Sequence, residues 1–271
     1  MKPGIEFNPE LIKRYDRAGP RYTSYPTANL FSDDFTADDY ITAAQSSNTG
    51  PNPKPLSLYF HIPFCDTVCH YCACNKIVTK RRERAVPYLD NLSREIEIQG
   101  NLFDDMRPVD QLHWGGGTPT FLSDEQMSQL MEKTAKHFNL LNDDSGEYSI
   151  EIDPREITAE GIHKLRSIGF NRLSMGVQDF DPVVQKAVNR IQSEEVTFTA
   201  INAAREASYK SISVDLIYGL PFQSVESFLK TLKKIVAVGP DRLSVFNYAH
   251  LPTLFMPQRR IDEEDLLSLI H

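Results

Sequence analysis

The stretch "LSLYFHIPFCDTVCHYCACN", residues 56–75, runs an aromatic and aliphatic segment straight into a loop that holds all four cysteines of the chain, Cys65, Cys69, Cys72 and Cys74. Residues 56–62 carry the β-branched and aromatic composition of a strand, and the thiols begin where that strand ends. In parallel α/β folds, ligands sit at the carboxyl edge of the strands. The fold therefore turns on whether strand and helix keep alternating after this point.

They do. Helical periodicity over 86–103 is followed by a strand at 110–114, then by a helix opening at Ser123 with Gln126 three residues on, the signature of a capping box. Strands follow at 147–153, 171–178, 211–219 and 242–249. Between them lie a helix from Thr158 to about Ile168, helical segments around 181–207 and a helix capped by Ser224. Six strands in strand-helix order predict a parallel sheet, because a parallel return needs a long and almost always right-handed crossover. At the carboxyl ends stand His61 and the cysteines, "GGGTPT" (115–120), Glu151 with Asp153, Gln178, Asp215, and Tyr248 to His250, so all six strands are expected to face one site.

The first fifty residues show little periodicity and read as an arm, ending in the linker-like "QSSNTGPNPKP". The organisation expected is an arm and linker over 1–55, a core over 56–250 and the start of a further region over 251–271. That last stretch begins an apolar helix with Leu266, Leu267, Leu269 and Ile270 and suggests a sequence cut short.

With 41% hydrophobic and 24% charged residues the chain is a folded globular protein. A net charge of -8 argues against broad nucleic-acid or membrane-surface binding. The basic run "KRRER" (80–84) is a local exception that reads more simply as a solvated face. No apolar run approaches the ~18 residues of a membrane span, and the opening residues lack a secretory signal, so a reducing cytoplasm is the expected setting. There, clustered cysteines bind metal more readily than they form disulfides. Cys65, Cys69, Cys72 and Cys74 have the spacing C-x3-C-x2-C-x-C on one loop. Structural zinc normally joins two separate knuckles, whereas one loop can wrap an iron-sulfur cluster. Spacing favours the cluster and leaves zinc open.

C-x3-C-x2-C after the first strand of a βα series resembles the signature of the radical S-adenosylmethionine superfamily. The ordered blocks "YFHIPFCDTVCHYCACN", "LHWGGGTPT", "IEIDPRE", "RLSMGVQDFDPVVQKAVNRIQ", "DLIYGLP" and "FNYAHLPT", with "KRYDRAGPRYTSYPTA" in the arm, are similar to the oxygen-independent coproporphyrinogen III oxidase (dehydrogenase) family. Heme chaperones of the same superfamily typically lack the fourth cysteine and this aromatic arm, so Cys74 and "RYTSYP" favour the oxidase.

The resemblance implies an incomplete (β/α)6 radical-SAM barrel with an N-terminal arm. It implies that Cys65, Cys69 and Cys72 ligate a [4Fe-4S] cluster, leaving one iron for S-adenosylmethionine, and that Cys74 does not ligate. Tyr59, Gly116, Glu151 and Ala249 match contacts to that first cofactor. Tyr71, Gly117, Thr118, Gln178, Arg190 and Asp215 match contacts to a second S-adenosylmethionine. The implied reaction converts two propionates of coproporphyrinogen III to vinyl groups through a 5'-deoxyadenosyl radical, giving protoporphyrinogen IX, with electrons from a donor such as a flavodoxin-type protein. Beside these, Arg17 and Arg21 with Tyr22 and Tyr25 are expected to close over an anionic macrocycle. His113 reads as a satisfied core histidine, and His61 and His70 as groups near the cofactor.

Overall fold

The alternation read from Leu56 onward builds one parallel sheet in the computed structural model, which describes residues 8–16 and 27–250. Two helices come first, α1 (Pro9–Tyr15) and α2 (Ala37–Ser46). Then follow β1 (Leu56–Ile62), β2 (Phe64–Cys65), β3 (Ile77–Val78), α3 (Ala85–Gly100), β4 (Pro108–Gly116), α4 (Asp124–His137) and β5 (Asn139–Leu140). The series continues with β6 (Glu147–Ile152), α5 (Ala159–Ser167), β7 (Arg172–Gln178), α6 (Pro182–Ala187), α7 (Glu194–Glu206), β8 (Ser211–Tyr218), α8 (Val225–Val238) and β9 (Arg242–Asn247). The main sheet has the order β1-β4-β6-β7-β8-β9, with β5 added beside β4. Every pairing is parallel, and among the described residues β1 and β9 do not pair, so the barrel they form is incomplete, as expected.

Register explains how the sheet divides polar from apolar. Tyr59, His113 and Ser149 are cross-strand partners in one row, as are Glu151, Ser174 and Ser213, and as are Gly176, Asp215 and Ser244. Because side chains alternate across a strand, these rows share one face. The other face carries Phe60, Leu112, Trp114, Ile150, Leu173, Met175 and Val214, which form the core with residues of α3, α4, α5, α7 and α8. Burying each such large apolar side chain is worth about 1.5–3 kcal/mol. Parallel strands covered on both faces read as continuous apolar runs; here "EYSIEI" alternates, and the polar face lines a lumen bordered by Ser57, Gln111, His113, Glu147, Arg172, Ser213 and Arg242 among others.

Three features depart from the sequence reading. The first fifty residues contain a regular helix, α2, whose capping box pairs Thr36 with Asp39; an aspartate at N3 in place of Glu or Gln obscures it. The linker-like stretch 45–55 is also tied down. The Arg107 guanidinium donates to Ser47 Oγ (2.8 Å), Asn48 Oδ1 (2.9 Å) and the Lys54 carbonyl (2.7 Å). The small parallel pair β2–β3 has no counterpart in the sequence pattern, because two-residue strands leave no periodic trace. The expected arm residues Arg17, Arg21, Tyr22 and Tyr25, and the tail from 251 onward, lie outside the described residues.

The predicted capping box at α4 is present, with Gln126 N donating to Ser123 Oγ (3.2 Å) and Ser123 N donating to Gln126 Oε1 (3.0 Å). Exchanging Ser123 for Ala should cost about 1 kcal/mol and lower the thermal midpoint by about 2–4 °C, read by circular-dichroism melting.

Candidate cofactor site

The loop 65–76 crosses the carboxyl edge of the sheet, and its backbone is fixed on both sides. On one side Ile77 N donates to the Pro63 carbonyl (2.7 Å) and Thr79 N to the Cys65 carbonyl (2.9 Å), which forms β2–β3. On the other, His70 N donates to the Val188 carbonyl (3.0 Å) and Asn189 Nδ2 to the Val68 carbonyl (2.8 Å). Asn189 takes a left-handed φ of 54° to do so, a conformation that asparagine tolerates better than most residues. His70 thus anchors the loop to the end of α6, its Nδ1 lying 3.3 Å from the Ala187 carbonyl oxygen.

The cavity enclosed by this loop is lined by Cys65, Cys69, Cys72 and Cys74, and from the strand ends by Gly116, Gly117, Thr118, Glu151, Asp153, Gln178 and Asp215, with Tyr71, Arg155 and Arg190. The expected site residues therefore meet there, apart from Tyr59 and Ala249. Tyr59 is 57% exposed on the polar face; it stacks on His113 with centroids 5.7 Å apart, and its hydroxyl is 3.1 Å from His61 Nδ1. Ala249 is exposed beyond β9. The sixth strand end reaches the site indirectly, since Tyr248 packs with Val184, Val188, Ile217 and Leu220, against which Tyr71 lies.

The glycines at the end of β4 serve their neighbours. A Cβ on Gly115 would stand 2.8 Å from the Glu151 carboxylate, and one on Gly117 would stand 2.7 Å from the backbone of Pro63 and Phe64. Their absence lets Glu151 accept from Gly116 N (3.2 Å) and approach His113 Nε2 (3.1 Å). His113 is accordingly a lumen residue held by Glu151, and the core reading is corrected: Leu112 and Trp114, its chain neighbours, carry the core. His61 is held by the Asn75 carbonyl at 2.8 Å.

The centre of charge is Asp153, which is 7% exposed. Its carboxylate accepts from Arg155 Nη2 (2.6 Å) and Arg190 Nη1 (3.0 Å). Burial alone would push this carboxyl up, but the Arg155 hydrogen bond and the charge of Arg190 outweigh it, and its pKa falls below the ordinary value. Both guanidiniums also reach the Cys69 sulfur, Arg190 Nη1 at 3.7 Å and Arg155 Nη2 at 3.9 Å. Arg190 donates further to the Gly176 carbonyl (2.7 Å), while its buried Nε finds no partner among the described residues. The sequence reading misses Arg155; its only signal is Asp-Pro-Arg, in which an aspartate caps a turn two residues before the arginine.

Gln178 is buried with a left-handed φ of 69°, where the β7–β8 register slips between Gly176 and Gln178. Gly176 gives it room, since a Cβ there would come within 2.7 Å of the Gln178 amide nitrogen. Burial raises the pKa of Asp215, whose carboxylate lies 3.3 Å from Ser174 Oγ. Among the thiols, a hydrogen bond from Cys74 brings Cys72 down to about 6, and Thr118 Oγ1 donates to Cys65 Sγ at 3.6 Å.

A sheet with thiols, glycines and paired charge gathered at its carboxyl edge defines a cofactor-binding core, and the chain belongs to the Radical SAM superfamily, whose sequence profile matches residues 59–235. Among curated relatives, it is 56% identical over 268 residues to the oxygen-independent coproporphyrinogen III oxidase of Pseudomonas aeruginosa, covering 99% of this chain and 58% of that protein. It is 46% identical over 260 residues to the Helicobacter pylori protein of the same name, covering 96% of this chain and 57% of that one. The solved coproporphyrinogen III oxidase of Escherichia coli, described as a radical SAM enzyme, superposes with a TM-score of 0.86 at 49% identity, over 98% of this chain and 59% of that one. The chain thus spans somewhat more than half the length of these relatives.

Superfamily membership implies a [4Fe-4S] cluster and S-adenosylmethionine, and the residues present fit them. Thiols spread around one cavity suit a cluster, whose irons stand at separate corners. The arginines beside Cys69 Sγ are cationic donors of the kind that accompany a thiolate ligand.

Asp153→Asn should leave the buried Arg190 and the half-buried Arg155 short of charge and cost about 3–5 kcal/mol, measured by denaturant unfolding. Because the Asp153 pKa is lowered on folding, its contribution is present above the unfolded carboxyl pKa and disappears as pH falls through the lower folded value; the stability gap between the native protein and this variant should therefore narrow in acid. Arg155→Lys removes the planar fork beside the Cys69 sulfur. With weaker donation to that sulfur, the reconstituted cluster should become harder to reduce, seen as a more negative midpoint in a potentiometric titration followed by electron paramagnetic resonance.

Proposed function

We propose that this chain carries the cluster-binding and cofactor-binding core of an oxygen-independent coproporphyrinogen III oxidase, an oxidoreductase of heme and porphyrin biosynthesis that converts two propionates of coproporphyrinogen III to vinyl groups, giving protoporphyrinogen IX. The observation that carries the reading is the single cavity in which Cys65, Cys69 and Cys72 meet the strand-end residues Glu151, Gln178 and Asp215. The extent of the similarity to the named oxidases supports it, as does Cys74, the fourth thiol of the loop.

Side-chain acids and bases cannot break an unactivated C–H bond, so a cofactor must supply that step. A [4Fe-4S] cluster and S-adenosylmethionine, held at these residues, would supply the one-electron radical chemistry that such a C–H bond requires. The chain's own residues position and shield. Cys65, Cys69 and Cys72 supply thiolates, and Thr118 and the two arginines donate toward their sulfurs. Glu151, fixed by Gly116 N and His113, presents a carboxylate suited to ribose hydroxyls, and Tyr59 and Ala249 are proposed to complete this first cofactor's contacts. Arg190 offers its unpaired Nε to a carboxylate, and Asp215 offers a negative charge to a sulfonium or ammonium. With Tyr71, Gly117, Thr118 and Gln178 they are proposed to hold a second S-adenosylmethionine.

The electron source is proposed to be a small carrier such as a flavodoxin-type protein. No described helix is long and apolar enough to cross a membrane.

Anaerobic reconstitution should yield about four irons and four sulfides per chain, and Cys65→Ala should abolish that uptake. Colourless protein with stoichiometric zinc would refute the cluster. Incubation of the protein extended to its relatives' length with coproporphyrinogen III, S-adenosylmethionine and a reductant should release carbon dioxide. Heme binding without carbon dioxide would instead identify a chaperone.

A further inference from the structure

The basic run Lys80–Arg84 has no part in the cavity: none of its residues lines it. It is nonetheless joined closely to the cluster loop. Thr79 N donates to the carbonyl of Cys65 (2.9 Å), so the run starts one hydrogen bond away from a ligand residue. Arg82 turns back onto the loop, with Nη2 at 2.6 Å from Asp66 Oδ2 and its guanidinium carbon 4.1 Å from the Phe121 ring centroid. Arg81 pairs with Glu83 at 2.7 Å. Lys80 and Arg84 are exposed and form no salt bridge among the described residues. Around them lie the exposed apolar side chains of Ile77 (37%), Val78 (44%) and Val86 (48%). With Arg81 paired to Glu83 and Arg82 to both Asp66 and Glu156, Lys80 and Arg84 stand as two exposed cations with apolar side chains at their margin, beside the cysteine loop of a chain of net charge -8.

We infer that Lys80–Arg84, with Ile77 and Val78, is the docking surface for an acidic one-electron carrier protein that reduces the centre held by Cys65, Cys69 and Cys72. This rests on the cluster reading and adds to it a place of entry. One electron leaves the reduced carrier and enters the oxidised cluster; no bond is made and no proton or group moves between the proteins. Opposite charges steer such partners together and set the association rate more than the affinity. Because Lys80 and Arg84 lie outside the cavity, a docked carrier and an anionic substrate do not compete for the same cations.

The test is stopped-flow reduction of the anaerobically reconstituted protein by reduced flavodoxin and, separately, by dithionite. The double variant Lys80→Glu, Arg84→Glu changes exposed side chains only. At low ionic strength it should react with flavodoxin about tenfold more slowly than the native protein, a factor within the range that electrostatic steering supplies. The difference should shrink with added salt as the charges are screened, and dithionite reduction should be unchanged. Lys233→Glu on the exposed face of α8 is the control and should leave both rates unaltered. A native rate with flavodoxin in the double variant, equal slowing with both reductants, or equal slowing in the control overturns the assignment. A native protein that dithionite cannot reduce overturns the cluster itself, and with it the need for a carrier.

Discussion

The site is organised around one buried carboxylate held between two guanidiniums. A lone charge at the depth of Asp153 would be expelled or neutralised, and two arginines at that depth without an anion would be worse. The three groups are tolerable only together. Asp153 and Arg155 come from the turn that follows β6, Asp153 as its cap, and Arg190 comes from the segment after α6. Pairing these charges therefore joins distant parts of the chain to one another and to Cys69, so the position of the thiol loop is set by electrostatics as well as by its own backbone hydrogen bonds.

The second constraint is the direction of the strands. Since every pairing in the main sheet is parallel, all carboxyl ends lie on one edge, and the residues that follow the strands are brought together whatever their separation in sequence. The helices cover only the apolar face. The polar rows on the other face, Tyr59 with His113 and Ser149, and Gly176 with Asp215 and Ser244, remain available to solvent and ligand. This arrangement turns a parallel sheet, ordinarily dry on both sides, into the wall of a wet lumen.

Much of this is readable in the sequence. The strand at 56–62, the capping box at Ser123 and the helix cap at Ser224 have local chemical causes, and the structure places them where those causes predict. The convergence of Cys65, Glu151, Gln178 and Asp215 follows from strand-helix order alone. What escapes the sequence is non-local or too short. The role of Arg155 depends on a carboxylate two residues away and a sulfur 86 positions distant. His113 reads onto the wrong face because a histidine beside Trp114 looks like core, and only the register shows that it alternates out. The anchoring of residues 45–55 depends on Arg107, far along the chain, which no reading of a Pro-rich segment could supply.

The left-handed backbone at Gln178 has a further consequence. A non-glycine residue in that conformation holds on the order of 1 kcal/mol or more of conformational strain, kept in place by the slipped register on one side and by Gly176 and Arg190 on the other. Glycine at this position would relax the main chain but would lose the amide and loosen the corner. The protein keeps instead a slightly tensed corner whose buried side chain is closely confined, so that a ligand entering the cavity meets a polar group already oriented and need not spend binding free energy on ordering it.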